Sequence, residues 1–315
     1  MESVMVTRKR AATYGKAHSF GGDWTSTKLD ILGKYLRGYT TALKDRPTPA
    51  RPFVKAYIDA FAGTGYRSMG QDEATTSENL LFPDLAAAAP QDLLDGSARL
   101  ALKTQPRFDR YIFIERSPRR CQVLEGLKVE FPNLAQDIRI EQGEANERIR
   151  ALCGSGKDWS SRRAVLFLDP YGMQVEWETI EAIAATKAID LWLLFPLGVG
   201  VNRLLTRSGE IPPSWRARLD KLLGKQDWYD KFYRVESEPN LFGTKEDHVV
   251  KATTETIGRY FVDRLKEVFP GVAEEPGILR NSARCPLYLL CFAASNKNAS
   301  PIALRIANHL LKEVR

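Results

Sequence analysis

Two short stretches hold residues whose types and spacing could do chemistry. In Tyr57-Ile58-Asp59-Ala60-Phe61-Ala62-Gly63-Thr64-Gly65 an apolar run ends in an acid, and two glycines follow that let a ligand approach the backbone closely. Further on, Leu166-Phe167-Leu168 runs into Asp169-Pro170-Tyr171-Gly172. The Asp169 carboxylate and the Pro170 carbonyl can both accept hydrogen bonds from an exocyclic amine, and Tyr171 offers a face on which a base can stack. The plain alternative is a turn that uses Pro and Gly to end a strand.

Three nucleotide-type readings compete for the glycine loop. A Walker A loop requires GxxxxGK[ST], and Gly65 is followed by Tyr66-Arg67-Ser68, which argues against triphosphate hydrolysis. A nicotinamide fingerprint needs an acid about 20 residues beyond the loop. The next acid at a strand end is Glu115, too far away. An S-adenosylmethionine site needs an acid and a short Gly-x-Gly loop for the amino-acid part, then an acid closing the second strand for the ribose hydroxyls. Asp59, Gly63, Gly65 and Glu115 supply that set. After the third strand, Glu141-Gln142-Gly143-Glu144-Ala145-Asn146 forms a polar loop opening a helix, where the adenine would lie; an ordinary capped turn reads the same way.

The elements that must position these residues are legible as an alternation. Val54 to Asp59, Tyr111 to Ile114, Ile138 to Ile140, Ala164 to Leu168 and Ile189 to Leu194 are brief apolar runs, as buried parallel strands should be. Amphipathic stretches separate them. Ser117-Pro118 starts a helix that runs toward Phe131 and stops before Pro132. Ser300-Pro301 repeats the device before a last helix with an apolar stripe of Ile302, Ile306, Leu310 and Leu311. Strand and helix alternating in this way predict an α/β fold, a mostly parallel, doubly wound sheet whose ligands bind beyond the carboxyl ends of the strands.

Four regions follow from this reading. Residues 1–50 form a basic arm and a helix from Asp23 to Leu43, with Leu29, Leu32, Leu36 and Leu43 on one side. Residues 51–201 and 248–315 form the core domain. An acidic insertion covers 68–106, and a helical insertion rich in aromatic and basic residues covers 202–247. In that second insertion Trp215, Trp228, Tyr229, Phe232 and Tyr233 interleave with Arg216, Arg218, Lys221, Lys225, Lys231 and Arg234. Such a set either grips a single strand through stacking and charge or packs its aromatics inward.

Composition narrows the class. At 43% hydrophobic and 27% charged residues the chain is neither disordered nor a membrane protein, and no apolar stretch reaches the length a spanning helix needs. Arg8, Lys9 and Arg10 precede a stretch too polar for a secretory signal, which predicts a cytoplasmic location. The four cysteines form no CxxC pair and only three histidines are present, so no metal site is expected. The net charge of +7 lies entirely in residues 1–58, which hold eleven Lys and Arg against four Asp and Glu. That segment can neutralise phosphates by counterion release, or be no more than a solvated terminus.

Asp-x-Phe-x-Gly-x-Gly followed by Asp-Pro-Tyr-Gly resembles class I S-adenosylmethionine-dependent methyltransferases that modify nucleobase amino groups. More narrowly, His18-Ser19-Phe20-Gly21-Gly22-Asp23-Trp24-Thr25, Lys28-Leu29, Ile31-Leu32 and Tyr35-Leu36, with the glycine loop and Gly96-Ser97, resemble the three-Cys-motif partner (TcmP) family. The resemblance implies a Rossmann-like class I methyltransferase fold with helical insertions and S-adenosylmethionine as cofactor. It implies cofactor contacts from Asp59, Phe61, Gly63, Gly65, Glu115, Gln142 and Glu144, and chemistry at Asp169, Pro170 and Tyr171. Substrate contacts are expected from His18, Trp24, Lys28, Trp215 and Arg216. The implied partners are nucleic acid, single-stranded or with a flipped base, and a three-cysteine-motif protein, for which the chain would be a methyltransferase-like subunit. Tyr171 stands where amino-methyltransferases carry a second proline, and the 68–106 insertion separates the glycine loop from the helix that would follow it.

Overall fold

The computed structural model describes residues 23–45, 48, 53–63, 96–154, 156–239 and 245–314. Helix α1 (Asp23–Ala42) precedes β1 (Val54–Asp59); then come α2 (Ser97–Lys103), β2 (Arg110–Glu115), α3 (Pro118–Glu130), β3 (Ile138–Gln142), α4 (Ala145–Cys153), β4 (Arg162–Leu168), α5 (Trp177–Ala185) and β5 (Ile189–Phe195). After β5 lie α6 (Pro213–Leu223), α7 (Trp228–Phe232) and an antiparallel ribbon of β6 (Tyr233–Pro239) and β7 (Lys245–Lys251). The chain closes with α8 (Thr254–Val268), β8 (Gly271–Val272), β9 (Gly277–Arg280), β10 (Pro286–Ala294) and α9 (Ser300–Leu311).

The main sheet runs β3-β2-β1-β4-β5-β10-β8, with β9 also paired to β10. Strands β1 to β5 are parallel, and β10 enters antiparallel beside β5. The order reverses at β1, which opens a crevice beyond the carboxyl ends of β1 and β4. Both faces are covered, so the central strands are buried along their length and read as continuous apolar runs.

Side chains alternate between two cores. Ile58, Leu166, Leu168, Leu191 and Leu193 pack with Ile149, Ile180, Ile183 and Phe261 on one face. Tyr57, Phe113, Val165, Phe167, Trp192 and Phe292 pack with Ile31, Tyr35, Leu36 and Leu124 on the other. A period of two therefore turns Asp59, Asp169 and Asp190 toward the face that α1 covers.

Local signals set the helix ends. Ser117 caps α3, its side chain accepting from the Arg120 N–H, with Pro118 at the first position. At α9 the device differs from the expected one. Ser300 is inside the helix and donates to the Lys297 carbonyl, while Asn296 Oδ1 accepts from the N–H groups of Asn298 and Ala299. The buried face of α9 also differs: Ala303, Ala307, Leu310 and Leu311 point inward and Ile302 is 47% exposed. Small residues win there because α9 lies close against α1, with Ile306 against the backbone of Gly38.

Of the first insertion, residues 68–95 lie outside the described residues, and the described parts of both add detail to the reading. Residues 97–103 belong to the core, because Ala98, Ala101 and Leu102 are buried beside α1 and Ser97 bonds to Asp59. The second insertion is not wholly helical, since it ends in the β6–β7 ribbon, which runs on to Lys251. Among the described residues no helix is long and apolar enough to cross a membrane, and no cluster of His, Cys, Asp and Glu could hold a metal ion.

Candidate active site

Strand register aligns the polar residues at the carboxyl end of the sheet. Asp59 pairs with Phe113 on one side and Phe167 on the other, so Glu115 and Asp169 each stand two residues further along, level with Phe61. Glu115 pairs with Gln142 of β3. Asp59, Phe61, Gly63, Glu115, Gln142 and Asp169 are thereby gathered at one end of the sheet, three strands wide on one side of Asp169.

Asp59 is fully buried and well supplied with donors. Its Oδ1 accepts from the Phe61 N–H at 3.3 Å, and its Oδ2 from Ser97 Oγ at 2.5 Å and Tyr57 OH at 3.3 Å. Burial pushes its carboxyl up to about 6, the Ser97 hydrogen bond opposes that rise, and the negative charge of Asp169 adds to it. Glu115 holds the turn together: Oε2 accepts from the Gly63 N–H at 3.0 Å and Oε1 from the Ser117 N–H at 2.9 Å. Gly63 has φ +61°, and among the described residues nothing lies within 4 Å of where a Cβ would stand. The positive φ is what glycine supplies to this turn.

The β3–α4 loop is clamped from below. Glu144 caps α4, accepting from the Glu147 N–H at 3.0 Å and from Asn146 Nδ2 at 2.8 Å. Buried Asn146 also donates to the Gln174 carbonyl and accepts from the Glu176 N–H and Thr179 Oγ1. It ties this loop to the segment leading from Asp169 into α5, a role the sequence reading missed. The only signal for it was a small amide early in the helix.

At the end of β4, Asp169 is reached by α1. Lys28 Nζ forms an ion pair with Asp169 Oδ2; the Lys28 side chain is only 4% exposed and that of Asp169 26%. Among the described residues no donor reaches Asp169 Oδ1. Lys28 Nζ also lies 5.0 Å from the centroid of the Trp24 ring, which stacks on Tyr288 of β10 at 5.2 Å. Burial raises the Tyr288 hydroxyl, and the charges of Asp169 and Tyr171 raise it further. Pro170 is buried, while Tyr171 is 63% exposed, its N–H bonded to Gln174 Oε1. Trp24 and Lys28 are thus brought to Asp169 from a helix 141 residues earlier in the chain.

Trp215 and Arg216 have other company. The Arg216 guanidinium lies over the rings of Trp228 (5.5 Å) and Tyr229 (5.0 Å), and Trp215 packs against the core of the α4/α5 face. Trp228 and Phe232 are fully buried, and Trp228 Nε1 donates to Asp220 Oδ1. The packing alternative describes these aromatics. His18 and Gly65 lie outside the described residues.

No protein-family model matches the sequence, and no curated protein matches it. In three dimensions the chain is similar to the Legionella pneumophila protein LPL1258, at 14% identity over 74% of this chain and 92% of that one, with a TM-score of 0.35. It is also similar to a methyltransferase from Geobacter sulfurreducens, at 11% identity over 74% of this chain and 81% of that one, with a TM-score of 0.29. The class rests on the sheet itself: five parallel strands in the order 3-2-1-4-5, an antiparallel strand beside the fifth and a further strand at the edge. That is a Rossmann-like class I methyltransferase fold.

The residues at the carboxyl end fit S-adenosylmethionine in their chemistry. Glu115 and Asp59 are carboxylates at the ends of β2 and β1, the group type that would hold ribose hydroxyls and an ammonium, and among the described residues nothing stands within 4 Å of a Cβ at Gly63.

Proposed function

We propose that this chain is an S-adenosylmethionine-dependent methyltransferase acting on an exocyclic amine of a nucleobase in nucleic acid, and a member of the three-Cys-motif partner family. The observation that carries the reading is Asp169 itself: a carboxylate at the carboxyl end of β4 whose charge raises the Asp59 carboxyl, with Oδ1 reached by no donor among the described residues. The eleven basic residues among the first 58 support a polyanionic substrate.

When bound, the cofactor would supply an electrophilic methyl group on a sulfonium. Glu115 and Gln142 would hold its nucleoside end, with Glu144 near the adenine, and Asp59, Phe61 and Gly63 its amino-acid end. The chain's own contribution is orientation, since in-line displacement gains most from alignment of the reacting atoms. An exocyclic amine is a poor nucleophile because its lone pair is delocalised into the ring. Asp169 Oδ1 and the Pro170 carbonyl, accepting its N–H bonds, favour the pyramidal form that attacks. With the cofactor bound, its methyl would pass to the amine nitrogen while the sulfur kept the C–S electron pair, and Asp169 or water would take the one proton the nitrogen loses. A paired base cannot reach this site, so the substrate is single-stranded or flipped.

A second reading has its own observation. Both oxygens of Asp59 and both of Glu115 already accept hydrogen bonds from the chain, which suits a methyltransferase-like subunit that supports a three-cysteine-motif protein without catalysis. Calorimetric titration with S-adenosylmethionine and with its demethylated product separates the two. Binding in the micromolar range that weakens at least tenfold in Glu115→Ala supports the enzyme. Absence of heat, together with co-purification of a cysteine-rich partner, supports the subunit.

A further inference from the structure

At the amino end of the sheet, α1, α9 and the first residues of β4 and β5 line a cavity of about 740 Å3. Asp190 stands in it, level with Val165 of β4, four residues or roughly 13 Å of strand before Asp169, so the two carboxylates serve different places. The walls are mostly apolar. Tyr35, Leu43, Phe53 and Ala303 contribute to them, and so does Ile302, which the core leaves 47% exposed.

Two polar groups of this cavity are incompletely used. Asp190 Oδ2 accepts from Tyr35 OH at 2.6 Å, but among the described residues Asp190 Oδ1 and the Tyr39 hydroxyl have no hydrogen-bond partner, and neither atom is sealed away from the open space. Burial raises the Tyr39 hydroxyl well above its ordinary value and the Asp190 charge adds to the rise, which sets the two groups within electrostatic reach of each other. Arg163 also lines the cavity, yet its Nη1 donates to the carbonyls of Trp159, Ser160 and Arg162, its guanidinium lies over the Phe53 ring at 5.7 Å, and it forms no ion pair with Asp190. A carboxylate only 6% exposed, with one oxygen unmatched, costs stability, and such groups are kept where a ligand needs them.

We propose that this cavity binds a small organic amine, whose ammonium donates to Asp190 Oδ1 and the Tyr39 oxygen while its apolar body lies among the side chains of α1 and α9. The site is independent of the methyltransferase reading. One carboxylate oxygen is open and the other is held by Tyr35, which suits a point donor rather than the two-pronged fork of a guanidinium. An anion is repelled by Asp190. A neutral alcohol can donate one hydrogen bond but leaves the carboxylate charge uncompensated. The volume is that of a small-molecule site.

The test is calorimetry on the full chain without cofactor, with three indoles that differ in the head group: tryptamine, tryptophol and indole-3-propionate. Titrations at about pH 8 lie above the value of about 7 to which burial raises the Asp190 carboxyl. Wild type should bind tryptamine with a submillimolar Kd, tryptophol roughly tenfold or more weakly, and indole-3-propionate not at all. Asp190→Asn keeps an oxygen for Tyr35; it should lose roughly tenfold or more for tryptamine and leave tryptophol unchanged. Tyr39→Phe removes only the second oxygen and should weaken tryptamine a few-fold. Folding of each variant is checked by thermal melting, and should Asp190→Asn fail to fold, Tyr39→Phe and the wild-type order decide. Equal affinity of wild type for tryptamine and tryptophol, or no binding of tryptamine, overturns the proposal. So does unchanged tryptamine affinity in folded Asp190→Asn, or in Tyr39→Phe where it must stand in. Each of these results leaves the methyltransferase reading untouched.

Discussion

Replacing Asp190 with Asn should make the protein more stable above neutral pH, and the size of the gain can be worked from its surroundings. Asp190 lies on β5 facing α1, 6% exposed, with Tyr35 OH donating to its Oδ2 at 2.6 Å. Burial pushes its carboxyl from 3.8 up to about 7, against the opposing effects of the Tyr35 hydrogen bond and the Arg163 charge. Below about pH 4 the group is protonated in folded and unfolded chains alike. Between the two values the folded protein keeps a proton that the unfolded chain releases, so stability falls as pH rises; above about 7 the full penalty is present. Three units correspond to roughly 4 kcal/mol, an upper bound on what one buried group contributes. Asn keeps an oxygen for Tyr35 and carries no charge. Urea unfolding of both proteins from about pH 5 to about pH 8.5 should show the variant gaining on wild type by about 2 to 4 kcal/mol across that range. Asp59 contributes a slope of the same sign to both proteins and cancels in the difference. A difference that stays flat with pH, or a variant weaker at high pH, would refute the reasoning.

Other substitutions probe the frame of the site. Asn146→Ala removes four hydrogen bonds, leaves the Glu176 N–H without that acceptor and takes the acceptor from the Thr179 O–H, whose oxygen still accepts from Arg150, and should lower unfolding free energy in urea by about 2 to 4 kcal/mol. Gly63→Ala meets no neighbour among the described residues but must hold φ +61°, so a loss of only about 1 to 2 kcal/mol is expected, with a fall in S-adenosylmethionine affinity seen by calorimetry. Phe261→Ala empties the place stacked on Phe195 at 3.9 Å, and thermal or urea denaturation should register about 3 to 5 kcal/mol.

The parallel half of the sheet was legible in the sequence. Strands buried on both faces carry no alternation to misread, and each expected run falls inside a strand of the structure: Ile189 to Leu194 within Ile189–Phe195, Ala164 to Leu168 within Arg162–Leu168. The acids ending β1 and β2 and the Asp169 turn were found because each follows such a run. Antiparallel β10 went unplaced although Pro286–Ala294 is nine residues of mostly apolar character, since nothing in a run states its direction. Asp190 drew no notice, because an acid inside an apolar run reads as an interruption until its Tyr35 partner is seen. The pairing of Lys28 with Asp169 depends on how α1 crosses the sheet, which local pattern does not encode. The insertion aromatics carried two readings that spacing alone does not separate. Their spacing with cations fits a binding surface or a packed core alike; in the structure Trp228 and Phe232 are buried and Arg216 lies over the rings of Trp228 and Tyr229.

The central claim is that Asp169 orients a nucleobase amine for methyl transfer, and transfer of a labelled methyl from S-adenosylmethionine to single-stranded nucleic acid measures it directly. Wild type should label the nucleic acid, and Asp169→Ala should bind the cofactor with unchanged affinity while losing at least a hundredfold in transfer. Equal labelling by the two proteins, or no labelling by a wild type that binds both ligands, would contradict it.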